Sequence, residues 1–378
     1  MNEIQRYLAE EIALDCGQGH IPRSEALRRL SVMGVGAAVA LALLAACGAD
    51  DNAATPDPMV SNSGNSTAPG TPGGNTAAEP GTMPAPGAMP TPAATGTTPS
   101  GEQGNGSPVL APPAGAPTPA ATPGTEPAPQ AMMPPPATPE DPAAVSGPGM
   151  GLPTEAITFP GPNGPLQGAF ASPPEPRGAV LVIHENRGLN DHTRTVVGRF
   201  AAAGYAAIAL DLLSEEGGTA ALGADSAEAT AALGRAPAGR FVPDMQACLD
   251  ELERRFPNAK IGAVGFCFGG GMMWQLIATK DPRLAAAAPF YGQLPAGADF
   301  TGSNTAVLAF YGELDTRINA TRDAAETALT AAGLTHQLVT EPGANHAFFN
   351  DTGANYNVAG ATDAWARVLA WFGEHLSA

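Results

Sequence analysis

The sequence predicts an α/β protein, a mostly parallel central sheet with helices on both faces, preceded by a long linker that cannot fold on its own. Two observations lead there. Composition changes abruptly near residue 153, and from that point short apolar runs alternate with helical stretches to the end of the chain. A third observation, the position of the reactive residues after the strands, agrees, because open α/β sheets build their sites at the carboxyl ends of strands.

The first segment, residues 1–47, reads as an export signal. Residues 1–29 are polar and end in Arg28-Arg29, and Leu30 to Ala46 are apolar or small except for Ser31. The 17-residue run is shorter than the ~20 residues a membrane-spanning helix needs. It closes on Leu44-Ala45-Ala46-Cys47-Gly48, which resembles a bacterial lipobox with Cys47 as the lipidated residue. The Arg pair resembles a twin-arginine signal, which would carry a folded protein across the membrane. The expected location is therefore periplasmic or in the cell envelope, with a lipid anchor, and Gly48 after Cys47 favours the outer membrane. A monomer is expected.

Residues 48–152 are mostly Pro, Gly, Ala, Thr, Asn and Ser, with acidic residues but no Lys or Arg. Such a stretch buries too little to offset its ordering entropy, so it reads as a disordered tether. The whole chain holds 46 Gly and 39 Pro and carries a formal charge of −18, divided about equally between the two sides of residue 153. No basic surface is offered to a nucleic acid, and none is expected as a partner.

Residues 153–378 hold all three Trp and the apolar runs of a core, a domain of roughly 225 residues. Strands at 157–159 and 166–170 flank the turn signal Gly161-Pro162-Asn163-Gly164. Ala179–Ile183 is a continuous apolar strand; Asp191 then caps a helix to Ala203, and Ala206–Leu210 is the next strand. Residues 213–240 read as a loop with a short helix over the site. Pro243 opens a helix to Phe256. Strands at 261–264, 285–291, 306–311 and 336–340 follow, with helices at 270–279, 321–332 and 363–376.

Between the strand at 261–264 and its helix lies Gly265-Phe266-Cys267-Phe268-Gly269-Gly270, a G-x-C-x-G nucleophile elbow. Its sharp turn brings backbone close on either side, hence the glycines, and puts Cys267 at a helix N-terminus, whose dipole favours a thiolate. A buried structural cysteine beside a glycine-rich turn is the plainer reading. Two later signals argue against it. Tyr311-Gly312-Glu313-Leu314-Asp315 ends one strand, and Asn345-His346 lies in the loop after the next. Cys267, acid and His346 then follow the chain order of this type of site. Asp315 is favoured as the acid over Glu313 because it lies just past the strand. His20, His192, His336 and His375 read as structural or solvated.

Taken together, His184-Glu185-Asn186-Arg187-Gly188-Leu189-Asn190, Gly265 to Gly270 and Asn345-His346-Ala347-Phe348 resemble the dienelactone hydrolase family, over nearly all of residues 155–378. The resemblance implies an α/β-hydrolase fold, a small-molecule ester or lactone as substrate, and hydrolysis through a Cys267-Asp315-His346 triad and a thioester. It also implies that Glu185 contacts the resting Cys267 and that the N–H groups of Phe268 and Asn186 form the oxyanion hole. One departure stands out: four residues beyond the histidine, where founding members carry a carboxylate-binding Arg, this chain has Asn350. Arg187 is the candidate substrate-binding residue by position, with Arg235, Arg240 and Arg317 as others. No cofactor and no metal are expected, since ligand spacing for zinc is absent. Two other functions remain open: a catalytically silent tethered lipoprotein that binds a ligand or cell-wall partner, and a thiol redox protein, which lacks a C-x-x-C pair.

Overall fold

The computed structural model describes residues 1–46, 151–223, 226–237 and 239–377. Cys47 and the proposed tether up to residue 150 lie outside the described residues.

Three helices come first, α1 (Glu3–Gly17), α2 (Arg23–Val32) and α3 (Ala37–Leu43), then a 3-10 turn at Leu44–Ala46. The domain begins with the antiparallel pair β1 (Glu155–Gly161) and β2 (Gly164–Ala171), joined by the expected turn. There follow β3 (Ala179–Ile183), α4 (Asp191–Ala202), β4 (Ala206–Asp211), α5 (Ser226–Arg235), α6 (Phe241–Arg255), β5 (Ile261–Phe266), α7 (Phe268–Ala278), β6 (Leu284–Phe290), β7 (Ala306–Gly312), α8 (Thr316–Asn319), α9 (Arg322–Ala331), β8 (His336–Glu341) and α10 (Val358–His375). The eight strands form one sheet in the order β1-β2-β4-β3-β5-β6-β7-β8, parallel from β4 onward.

Strands β3, β4 and β5 are buried at every position because helices cover both faces, which is why their sequences are unbroken apolar runs. On one face α4 and α10 meet through Phe200, Trp365 and Phe372, with the Phe200 and Trp365 rings 4.8 Å apart. Helices α6 and α7 pack together on the sheet, with Phe241 edge-on to Phe268 at 5.6 Å.

The capping side chains set element ends that the apolar pattern does not reveal. Asn190, not Asp191, caps α4, its side chain accepting from the Thr193 N–H at 3.0 Å. Helix α10 starts five residues earlier than residue 363 because Asn357 caps it, accepting from the Gly360 N–H at 3.0 Å. Residues 213–240 are more ordered than a loop: 3-10 turns at Ser214–Glu216 and Thr219–Leu222 precede α5. Asp211 organises this stretch, accepting from the N–H of Leu213 at 3.0 Å and from the N–H and hydroxyl of Thr219 at 2.7 and 2.8 Å.

Residues 1–46, read from sequence as an export signal, are helical and packed. Asn2 caps α1, accepting from Gln5 N–H at 2.6 Å, and Leu8, Ile12 and Cys16, spaced by four, form a buried face. Gln5 ties α1 to the end of α2, its amide donating to Met33 O at 2.7 Å. Both helices pack against α5, with Asn2 donating to Gly234 O and Arg235 donating to Val32 O. These residues cluster with the α/β domain as one compact unit. Among the described residues, no helix is long and apolar enough to cross a membrane.

Candidate active site

Strand β5 and helix α7 meet at Cys267, whose φ of 53° and ψ of −114° form the sharp elbow expected of the motif. The glycines are required by space. A Cβ on Gly265 would stand 2.2 Å from Gly269 O, and one on Gly269 would stand 2.4 Å from Ile183 O. Cys267 is buried, its N–H bonded to Phe290 O at 3.1 Å.

Beyond β7 the chain turns into α8, and Asp315 caps that helix by accepting from the Ile318 N–H at 3.2 Å. Its other oxygen, Oδ2, lies 2.6 Å from His346 Nδ1, in the loop after β8. An ionised carboxylate only accepts, so the shared hydrogen is carried on Nδ1 and Nε2 faces the sulfur side. The sulfur of Cys267, a carboxylate oxygen of Glu11 and a ring nitrogen of His346 all lie within 4.8 Å of one another. Burial pushes His346 down, but the negative charge of Cys267 and the Asp315 hydrogen bond outweigh it and raise its pKa to about 10. Glu313, the competing acid, instead accepts from the Gly343 N–H at 2.7 Å.

Glu185 is buried after β3, but its carboxylate is engaged elsewhere than on the sulfur. Oε2 accepts from the Asn350 amide at 2.7 Å and Oε1 from the Tyr291 hydroxyl at 3.4 Å. Asn350, conspicuous by sequence only as a missing Arg, is thus the group that orients Glu185. Phe268 opens α7, where the first helical N–H groups have no partner within the helix. Asn186 lies on the facing loop, its carbonyl accepting from Thr230 of α5 at 3.0 Å. His184 fixes the same loop as a neutral ring. Nδ1 donates to Glu185 O at 2.6 Å, Nε2 accepts from Leu212 N–H at 3.1 Å, and burial lowers its pKa.

Of the arginine candidates, Arg187 is exposed, Arg240 pairs with Glu216 and donates to Leu212 O, and Arg235 is spent on α2 and Glu228. Arg317 is the one at the site. It pairs with Glu11 of α1 and donates to Gln293 Oε1 at 3.2 Å.

Two site residues escape sequence reasoning altogether. Tyr7 shares a 3.5 Å hydrogen bond with Cys267 Sγ, and Glu11 brings Oε2 to 3.3 Å from His346 Nε2. Their one available signal is the four-residue spacing on a capped amphipathic helix. Glu11, Cys267 and His346 are close enough to hold a soft metal ion, but Arg317 already supplies positive charge to that carboxylate, which suits a cationic side chain better than a second cation. A cavity of about 390 Å³ runs beside α1, lined by Ile4, Tyr7, Phe268, Met272 and Leu294 among others.

A strand-to-helix elbow in a mostly parallel sheet, followed by an acid and a histidine after later strands, is the arrangement of the α/β-hydrolase fold. The dienelactone hydrolase family model matches residues 166–376, more than half of the chain. The chain belongs to the dienelactone hydrolase family. A presumed carboxymethylenebutenolidase of Synechocystis is 32% identical over 249 residues, 59% of this chain and 97% of that one. Another, of Salmonella typhimurium, is 30% identical over 235 residues, covering 58% and 86%. The crystal structure of a presumed dienelactone hydrolase from Klebsiella pneumoniae superposes with a TM-score of 0.52 at 28% identity, covering 58% of this chain and 98% of that one.

Proposed function

We propose that the protein hydrolyses a small carboxylic ester or enol lactone through a Cys267 thioester, with His346 as acid and base and Asp315 orienting it. The Cys267 thiolate adds to the carbonyl carbon, and the N–H groups of Phe268 and Asn186 receive the developing oxyanion. The leaving alkoxide or enolate takes a proton from His346. A water then gives a proton to His346 and attacks the thioester, releasing the acid and restoring the thiolate. Glu185, steered by Asn350 and Tyr291, accepts the thiol proton if the resting sulfur carries one. The observation that carries this reading is the 2.6 Å Asp315–His346 contact beside a sulfur at the elbow. A silent binding lipoprotein would have no need of these three groups together.

Arg317 supports a substrate bearing a carboxylate, because it already holds the Glu11 carboxylate beside His346. It replaces Arg187 as the residue that would read that group. The test uses residues 151–378, close to the span that stands alone as a protein in the Klebsiella structure. Aryl esters and enol lactones, acidic and neutral, should be hydrolysed, Cys267→Ala should abolish turnover, and Arg317→Ala should raise KM for acidic substrates alone. Equal rates for wild type and Cys267→Ala would refute the hydrolase.

The export signal and the lipid anchor at Cys47 also belong to this proposal, as does a monomeric, envelope-bound enzyme. Support comes from Arg28-Arg29 and the apolar run, within which Val39 and Leu41 of α3 are exposed. The mass of the protein recovered from a bacterial envelope checks it. The expected species begins at Cys47 with acyl chains attached, and a soluble chain retaining Met1 would contradict it.

A further inference from the structure

The cleft over Cys267 is filled, and its occupant is α1. Within one turn of that helix, Tyr7 meets the sulfur while Glu11 lies against His346 and pairs with Arg317. The Arg317 guanidinium also stacks 4.9 Å over the Tyr7 ring. Glu11 is only 4% exposed, and a carboxylate so far from water is tolerated only where positive charge and hydrogen bonds replace its hydration. Both of its cationic partners, Arg317 and His346, belong to the site. Leu8, Ala9 and Ile12, none more than 3% exposed, anchor the rest of the helix. The remaining cavity is walled on one side by α1 itself, so it is what is left of a larger cleft.

We propose that α1 is an intramolecular ligand of the hydrolase cleft: while residues 1–46 remain attached, the helix competes with substrate for Cys267 and Arg317, and its departure opens the site. Arg28-Arg29 and the apolar run would suffice for export, so transport gives no reason for a tyrosine and a glutamate one turn apart to face the nucleophile and its histidine. The inference rests on the hydrolase reading above for its meaning, though the docking itself does not. Processing before Cys47, as proposed above, would remove α1, α2 and α3 together and couple activity to arrival in the envelope.

The experiment uses the full chain with residues 1–46 intact and measures alkylation of Cys267 by iodoacetamide, read by peptide mass spectrometry. Wild type should react slowly. Leu8→Glu/Ile12→Glu, which undocks the helix, should react at least about tenfold faster, and Glu11→Gln, which removes the buried charge pair, should lie between them. Cys248, fully buried in α6, reports on the fold and should stay unlabelled. If the double variant exposes Cys248, Glu11→Gln decides alone, since it leaves the apolar face intact. Equal Cys267 rates in wild type and variants would overturn the proposal. Faster alkylation without ester turnover in any variant would retain the docked helix and overturn the hydrolase; turnover and alkylation alike in all would do the reverse.

Discussion

His346 is held between two groups that favour its protonated form. Burial opposes its protonation, yet the sulfur on one side and Asp315 on the other hold the proton on the ring up to a pKa of about 10. Asp315→Asn keeps the shape and removes the charge. It should lower the activity of the 151–378 domain by roughly 10²–10⁴-fold. In the full chain it should also bring the imidazole titration, followed by NMR, well below 10. An unmoved titration would mean that Asp315 only caps α8. At this scale Cys267 and His346 were legible because a short motif carries each. The sequence favoured Asp315 over the competing Glu313, although both follow β7 within three residues; in the structure Asp315 lies against His346 while Glu313 accepts from Gly343. Tyr7 and Glu11 were not legible, because a contact across more than 250 residues leaves no local trace.

Among the elements, β3, β4 and β5 could be read from their apolar runs, because strands buried on both faces have no polar side to blur the pattern, whereas the largely exposed β1 was read from the turn signal that follows it. Helix ends were harder to read, since a single side chain decides them. Asn190 and Asn357 displaced two starts, and Gly360 lies in the first turn of α10. That glycine has a packing role, as a Cβ there would stand 3.2 Å from the Glu341 side chain. The short helix expected within residues 213–240 is α5, whose bounds the Gly/Ala-rich stretch around it did not reveal; it carries Thr230 to the Asn186 loop and gives α1 and α2 their platform. Helix α1 was overlooked because average polarity masks the spacing of Leu8, Ile12 and Cys16.

For the whole molecule, an address-like amino-terminal segment and a hydrolase domain make one compact unit, and the segment's docked helix occupies the site the domain was built to expose. Both halves of that statement meet at one sulfur atom. The most direct test of the central claim is the stoichiometry of acylation in the 151–378 domain, using an activated aryl ester whose acylation outruns deacylation. A burst of phenol equal to the protein concentration, with the acyl mass found on the Cys267 peptide after acid quench, is the predicted result. Linear release with no burst, or the acyl group on any other residue, would contradict it.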